Sequence, residues 1–177
     1  MTDMRYTLFD TALGRCGLAW GAGGVVAVSL PEGDETATRA RLLRRAKDAA
    51  PAEPDAAIAG AIDDIGALLA GEKRRLAHID LDMTGVPDFD RAVLGATLEI
   101  PPGETRTYGD IARAVGDAAD ARRVGQALGR NPFPIVVPCH RVVGADGAMT
   151  GFSAPGGTGM KRRLLKIEGA LAPELFD

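Results

Sequence analysis

The sequence predicts an α+β protein built in two parts, and three observations carry that expectation. Residues 5–9, 16–20 and 25–30 are short, partly alternating runs separated by Gly14 and by the glycine-rich stretch 21–24, the pattern of adjacent antiparallel strands. Two amphipathic helical patterns follow, and beyond residue 87 helical periodicity dominates. A chain of 177 residues, 46% of them hydrophobic, has apolar material for one medium core or two small ones.

Taken in order, the first helix is predicted over residues 36–50, basic on its outer face, with Leu42, Leu43 and Ala46 spaced for burial. A second spans 55–70, where Ile58, Ile62, Ile65, Leu68 and Leu69 recur at helical spacing and Gly71 provides the stop. Residues 76–81 return as a strand. The break at 84–87 marks the expected boundary between an N-terminal unit, 1–87, and a C-terminal unit, 88–177. A helix over 88–100 then turns Phe89, Val93, Leu94 and Thr97 or Leu98 inward until Pro101, Pro102 and Gly103 end it. Thr107 with Asp110 three residues on forms a capping box for a helix carrying Ile111, Ala112 and Val115 up to Gly116. Asp117 is positioned to cap one more helix, running to about Arg130. Two short helices around a glycine turn fit a helix-turn-helix, although the pattern alone favours a plain packed helical pair. On the second of them Ala121, Val124 and Leu128 are expected to face the core, leaving Arg122, Gly125, Gln126 and Gly129 outside. Glycine inside a helix costs about 1 kcal/mol relative to alanine, and a smooth, arginine-bearing face suits close approach to a nucleic-acid backbone or groove.

Composition narrows the function. The net charge is −3, which argues against coating nucleic acid by bulk charge; yet residues 1–100 hold 11 basic against 16 acidic side chains, and residues 101–177 hold 10 against 8. DNA contact is therefore expected from the second half. The start of the chain has no basic segment followed by an apolar run, and no long uncharged stretch follows, so neither secretion nor a membrane partner is expected. Cys16 and Cys139 are too far apart in sequence for a C-x-x-C metal spacing, and with His78 and His140 they exhaust the nitrogen and sulfur ligands. No metal and no cofactor are expected, and free thiols suit a reducing, cytoplasmic compartment.

The chemistry concentrates in residues 135–143, where a thiol, Cys139, directly precedes His140 inside an apolar run punctuated by Pro138 and expected to be strand-like. A lone buried cysteine is as often a small hydrophobe. A thiol with an ordinary pKa of about 8.5 needs a base or a positive field to become a nucleophile, and His140 is the available base, acting through a water because adjacent side chains on an extended chain diverge. A histidine base needs a partner to fix its tautomer; Glu168, at the end of the last helix, is a candidate, although spacing alone leaves it a solvated surface carboxylate.

Five segments together resemble one family: PGETRTY at residues 102–108, ARRVGQA at 121–127, NPFPIVVPCHRVV at 131–143, GFS at 151–153 and LLKIEG at 164–169. In order and spacing they are similar to the methylated-DNA–protein-cysteine methyltransferases over about residues 88–170. The resemblance implies a ribonuclease-H-like N-terminal α/β subdomain and a C-terminal winged helix-turn-helix. It implies transfer of an alkyl group from guanine O6 in DNA, with alkylthymine a second possible substrate, onto Cys139 in a single irreversible turnover. His140 would remove the thiol proton through a water, Glu168 would hold His140, and Asn131 would brace the turn. Tyr108 would meet the target phosphate and donate a proton to guanine N3, and Arg122 would fill the gap left by a flipped base. Ala121, Arg123 and Gly125 would face DNA beside Arg122. Pro138, Val142 and Ser153 would line the base pocket. The partner implied is double-stranded DNA, entered through the minor groove by a monomer.

Departures from the family pattern are Leu94, where many relatives carry an aromatic residue, Arg123, where some keep a small one, and the segment Ala154, Pro155, Gly156 and Gly157 after Ser153. Three rival readings remain distinct in their predictions. A lesion-binding protein would lack the acceptor cysteine, a helix-turn-helix regulator would have no use for Cys139 and His140, and a cysteine hydrolase would release product continuously.

Overall fold

Turn chemistry sets the N-terminal sheet. The computed structural model describes residues 3–116, 120–152 and 156–172. Strands β1 (Arg5–Thr11), β2 (Gly14–Gly21) and β3 (Gly24–Ser29) form an antiparallel meander. The first hairpin is closed by Thr11, whose hydroxyl takes the Leu13 N–H at 3.1 Å. At the second, Gly24 has φ +115°, and a Cβ there would lie 2.5 Å from the Asp80 carbonyl, so only glycine fits. That close approach is used: Val25 N donates to Asp80 O at 2.9 Å and Asp82 N to Val25 O at 2.8 Å.

The predicted strand over 76–81 reduces to this one bridge between Val25 and Leu81. Asp82 explains its end, because its carboxylate takes the Thr84 N–H at 2.9 Å and turns the chain locally instead of continuing a ladder.

Helix α1 (Glu35–Arg45) starts on Asp34, whose side chain accepts from Ala37 N at 2.7 Å, and buries Thr38, Leu42 and Ala46. It stops five residues short of the predicted end. Asp48 takes φ +64° and Pro51 follows Ala50, a residue that proline keeps out of the helical region. Ala50–Pro51 instead becomes β4, parallel to β1 at the sheet edge, giving the order β3-β2-β1-β4. Helix α2 (Ala56–Leu69) is capped by Asp55 and ends before Gly71, φ +101°.

Helix α3 (Asp88–Leu98) buries Val93, Leu94 and Thr97 as expected, with Phe89 half-buried against the core, and it buries Asp90 as well. The reason is a partner: Arg130 grips Asp90 through two hydrogen bonds of 2.8 and 2.9 Å. Strand β5 (Arg106–Thr107) leads into α4 (Tyr108–Val115), which carries the predicted capping box, Asp110 N to Thr107 Oγ1 at 3.0 Å and Thr107 N to Asp110 Oδ2 at 2.9 Å. Helix α5 (Ala121–Gly129) is capped by Asp120, which accepts from Arg123 N at 2.7 Å; Asp117 lies outside the described residues. Its buried residues are Val124, Ala127 and Leu128, and Ala121 is exposed rather than inward. Helices α3, α4 and α5 pack on one another, β6 (Val142–Val143) pairs in parallel with β5, and α6 (Gly157–Ile167) closes the described fold.

One hydrophobic cluster runs through both halves of this mixed α+β fold, from Leu18 and Ile65 to Val93, Phe133 and Leu164. Val28 N also donates to Pro132 O at 2.9 Å, so the edge of the N-terminal sheet is bonded to the turn that carries the site. Among the described residues no helix is long and apolar enough to cross a membrane.

Candidate active site

Two turns and one helix end build the site. The predicted strand at 135–143 is interrupted because Pro138 has φ −80° and ψ 64°, an inverse γ-turn, closed by Cys139 N donating to Val137 O at 2.8 Å. Cys139–Arg141 then forms a 3-10 turn, and only Val142–Val143 is strand. Upstream, Ile135 sits at φ +76°, strained for a β-branched residue, and its burial at 2% exposure together with Val137 N donating to Phe133 O at 2.8 Å holds it there. Asn131 fastens the loop from inside: its Nδ2 donates to Val137 O at 3.0 Å and its Oδ1 accepts from Phe133 N at 2.9 Å.

Behind the thiol lies a buried ionic group. His140 is fully buried, and its Nε2 lies 3.0 Å from Glu168 Oε1. Glu168 is the residue after α6, 5% exposed, so the structure brings it from the expected surface position into the interior. Arg141 makes this tolerable. Its Nε and Nη2 donate to the two Glu168 oxygens at 2.8 and 2.7 Å, and its Nη1 donates to Ile100 O at 2.7 Å. Burial alone would raise the Glu168 pKa, but the hydrogen bonds from Arg141 and His140 outweigh it and hold the carboxyl at about 2.

That ionisation fixes a tautomer. An ionised carboxylate only accepts, so His140 Nε2 carries the proton and Nδ1 keeps its lone pair. Nδ1 is buried and has no hydrogen-bond partner among the described residues. Burial also pushes the His140 pKa down, against the pull of Glu168, so the ring rests neutral and able to accept a proton. Cys139 is half-buried; burial raises its pKa, opposed by a hydrogen bond from the Asn131 side chain, the charge of Lys161 and backbone hydrogen bonds. The resting pair is thus a thiol beside a neutral imidazole.

Cys139 stands where two cavities meet. The first, of about 670 Å³, is lined by Tyr108, Arg122, Gly125, Gln126, Gly151 and Phe152 among others. The outward face of α5 therefore opens onto the thiol, with Ala121 at its rim. Arg123 does not: its guanidinium stacks 4.1 Å over the Phe89 ring on α3. Val142 and Pro138 are buried and line neither cavity, and Ser153 lies outside the described residues. The described wall on that side is Thr150, Gly151 and Phe152.

Sequence reasoning missed Arg141 and Lys161. Lys161 is fully buried; its ammonium donates to Thr150 O at 2.9 Å and to the Tyr108 hydroxyl at 3.2 Å, and lies 5.4 Å from the Tyr108 ring centre. The hydroxyl in turn donates to Thr150 O at 2.9 Å. A signal for Lys161 existed, since Leu164 and Leu165 at i+3 and i+4 put it on the apolar face of α6. Among the described residues no cluster of three or more His, Cys, Asp or Glu could hold a metal ion.

A thiol followed in sequence by a buried, carboxylate-held imidazole, opening onto the arginine-bearing face of a helix, is the arrangement of a cysteine-dependent protein with an open helical face beside its thiol. Comparison with known proteins gives the family. The model of the 6-O-methylguanine DNA methyltransferase DNA binding domain matches residues 88–170. The methylated-DNA–protein-cysteine methyltransferase of Mycobacterium tuberculosis strain H37Rv is 48% identical over 124 residues, 68% of this chain and 73% of that one. That of Methanothermobacter thermautotrophicus is 37% identical over 153 residues, 86% and 78% of the two chains. The crystal structure of the M. tuberculosis O6-methylguanine methyltransferase superposes with a TM-score of 0.75 at 38% identity, covering 98% of this chain and 99% of that one. A second, of the M. tuberculosis OGT in complex with DNA, also gives 0.75 at 38% identity over 93% and 92%. The chain belongs to the methylated-DNA–protein-cysteine methyltransferase family.

Proposed function

We propose that this protein repairs DNA by transferring the alkyl group of O6-alkylguanine irreversibly to Cys139, with O4-alkylthymine a second candidate substrate. The observation that carries the reading is the junction at Cys139, where a thiol with a neutral, carboxylate-held imidazole behind it opens onto the small-residue face of α5. A stacked base hides its O6 substituent, so the target nucleotide is rotated out of the duplex into the larger cavity, at a cost of a few kcal/mol that Arg122 offsets by entering the gap.

In the reaction the Cys139 proton passes, through one water, to His140 Nδ1, and the imidazolium formed is stabilised by Glu168. Sulfur attacks the alkyl carbon in line, the C–S bond forms as the C–O bond breaks, and guanine leaves with its electron pair. Tyr108 supplies a proton to N3, turning from Thr150 O, while Lys161 stays behind the ring as a fixed positive charge. Asn131 holds the Cys139 turn. The thioether is inert and Cys16 lies buried in β2 with its pKa pushed up to about 11, so one molecule completes one turnover.

In this reading residues 1–87 form a ribonuclease-H-like subdomain and 88–177 a winged helix-turn-helix, with α4 and α5 as the helical pair, α5 in the minor groove, and Ala121, Gly125 and Arg122 against DNA. The protein acts as a monomer in the cytoplasm. Thr150, Gly151 and Phe152 take the pocket role foreseen for Val142 and Pro138, and Arg123 supports α5 through Phe89. The experiment is intact-protein mass spectrometry with a duplex holding one O6-methylguanine. One added methyl group, mapped to Cys139 and never exceeding one lesion per protein, is the expected result; binding without a mass change would make the protein a lesion sensor, and continued product release a turnover enzyme.

A further inference from the structure

The second cavity at Cys139 leads away from α5, toward α1. It measures about 350 Å³ and shares Cys139 and Phe152 with the first. During in-line attack the reacting carbon lies between the sulfur and O6 and the rest of the tail leaves that axis sideways, so if the first cavity receives the base, a second one bordering the same sulfur is space for a longer tail. Pro134 and Phe152 give it apolar lining, and Arg41, Arg44 and Arg45 of α1 form a cationic wall. Spacing explains the wall, because positions i, i+3 and i+4 share one helix face.

These cations are not all committed to carboxylates. The acidic residue of α1, Glu35, lies in its first turn and is engaged by Arg15 and Arg39. Among the described residues Arg44 and Arg45 have no carboxylate partner, and burial pulls the Arg45 pKa down with no neighbouring anion opposing it. Arg130, which also borders the cavity, is neutralised by Asp90. A cavity with both apolar lining and guanidinium groups matches a short hydrocarbon tail ending in an anion.

We propose that the cavity between α1 and the Asn131 turn is a subsite for the alkyl group, selective for O6-carboxyalkylguanines. The inference rests on the transfer reading above. The Cys139 sulfur bonds to the tail's first carbon, the bond from that carbon to guanine O6 breaks with its electron pair going to the base, and the tail's carboxylate stays ionised against Arg44 and Arg45.

The test uses the full-length protein and three duplexes differing only in the lesion: O6-methylguanine, O6-(3-carboxypropyl)guanine and its neutral isostere O6-(3-carbamoylpropyl)guanine. Single-turnover rates are read by mass at Cys139 for the native chain and for the double variant R44Q/R45Q. The carboxylate duplex is expected to react about three- to tenfold faster than the carboxamide in the native chain, and that ratio is expected to fall to about one in the variant. Equal rates for the two isosteres in the native chain, with methyl transfer intact, would overturn the subsite. So would a variant that slows all three duplexes alike, which would assign the arginines to the DNA backbone. Absence of methyl transfer would remove the underlying reading, and the subsite with it.

Discussion

Cys16 and Cys139 are the same side chain in two settings, and the contrast isolates what the C-terminal turn adds. Cys16 lies in the middle of a regular strand, 1% exposed, with Thr11 Oγ1 at 3.6 Å as its polar neighbour, and burial pushes its pKa to about 11. Cys139 feels the same upward push, yet it borders two cavities and has Asn131, Lys161 and local backbone hydrogen bonds pulling the other way, with His140 next in sequence. Burial makes both thiols poor nucleophiles at rest; what separates them is a route out for the proton and a route in for the substrate.

The largest effect tests that contrast directly. Cys139→Ala is expected to abolish methyl uptake from an O6-methylguanine duplex, whereas Cys16→Ala retains one methyl per molecule, both read by intact mass. Iodoacetamide under native conditions is expected to label Cys139 and spare Cys16 until the protein is unfolded. Equal labelling of the two thiols would break the comparison.

The ionic group behind Cys139 gives the next effect. Glu168→Ala strands the Arg141 guanidinium, 5% exposed, without its carboxylate. Removing one partner of a buried pair costs about 3–5 kcal/mol, to be read as a shift of the urea midpoint. Arg5, which pairs with Asp3 at the exposed start of β1, supplies the reference: Asp3→Ala is expected to cost under about 1 kcal/mol. Near-equal losses would mean that Arg141 finds another partner.

Acid reports the same group by linkage. The Glu168 carboxyl is depressed from 4.5 to about 2, so its contribution is fully present above pH 4.5 and is lost as pH falls from there toward 2. The amount is on the order of 3 kcal/mol. His140 adds a loss that begins higher, since its pKa is lowered from 6.5 by burial and the unfolded chain takes up the proton first. Stability against urea is therefore expected to fall in two stages below pH 6.5, and Glu168→Gln to remove the lower one. An unchanged lower stage in that variant would assign it to other carboxylates.

Legibility differed between the two regions for physical reasons. The strands β1 to β3 and both N-terminal helices were readable because period and punctuation are local, as was the capping box of α4. Glu168 was readable only through family resemblance; it reaches His140 across 28 positions, a distance that no local periodicity encodes. Arg141 and Lys161 were missed because a cation in an apolar run is ordinarily solvated, and only the folded chain shows Glu168, Ile100, Thr150 and Tyr108 converging on them. The strand expected at 135–143 failed where propensity met geometry. Isoleucine and valine favour strands, but Pro138 in a γ-turn and Ile135 at positive φ bend the chain so that Cys139 projects into the cavities.

The smallest predicted effect compares one interaction in both regions. Asp34 caps α1 at 2.7 Å and Thr107 caps α4 at 3.0 Å, and replacing either by alanine is expected to cost about 1 kcal/mol. Their consequences for transfer should diverge. Tyr108 is the first residue of α4, directly after its cap, and its hydroxyl must hold position against Thr150 and Lys161. Fraying that turn moves Tyr108 itself, whereas fraying the start of α1 loosens a turn that carries no group of the site. Thr107→Ala is thus expected to slow single-turnover methyl transfer severalfold, and Asp34→Ala to leave it unchanged at equal stability loss. Equal slowing would mean that the rate follows global stability, and the placement of Tyr108 by the α4 cap would carry no separate weight.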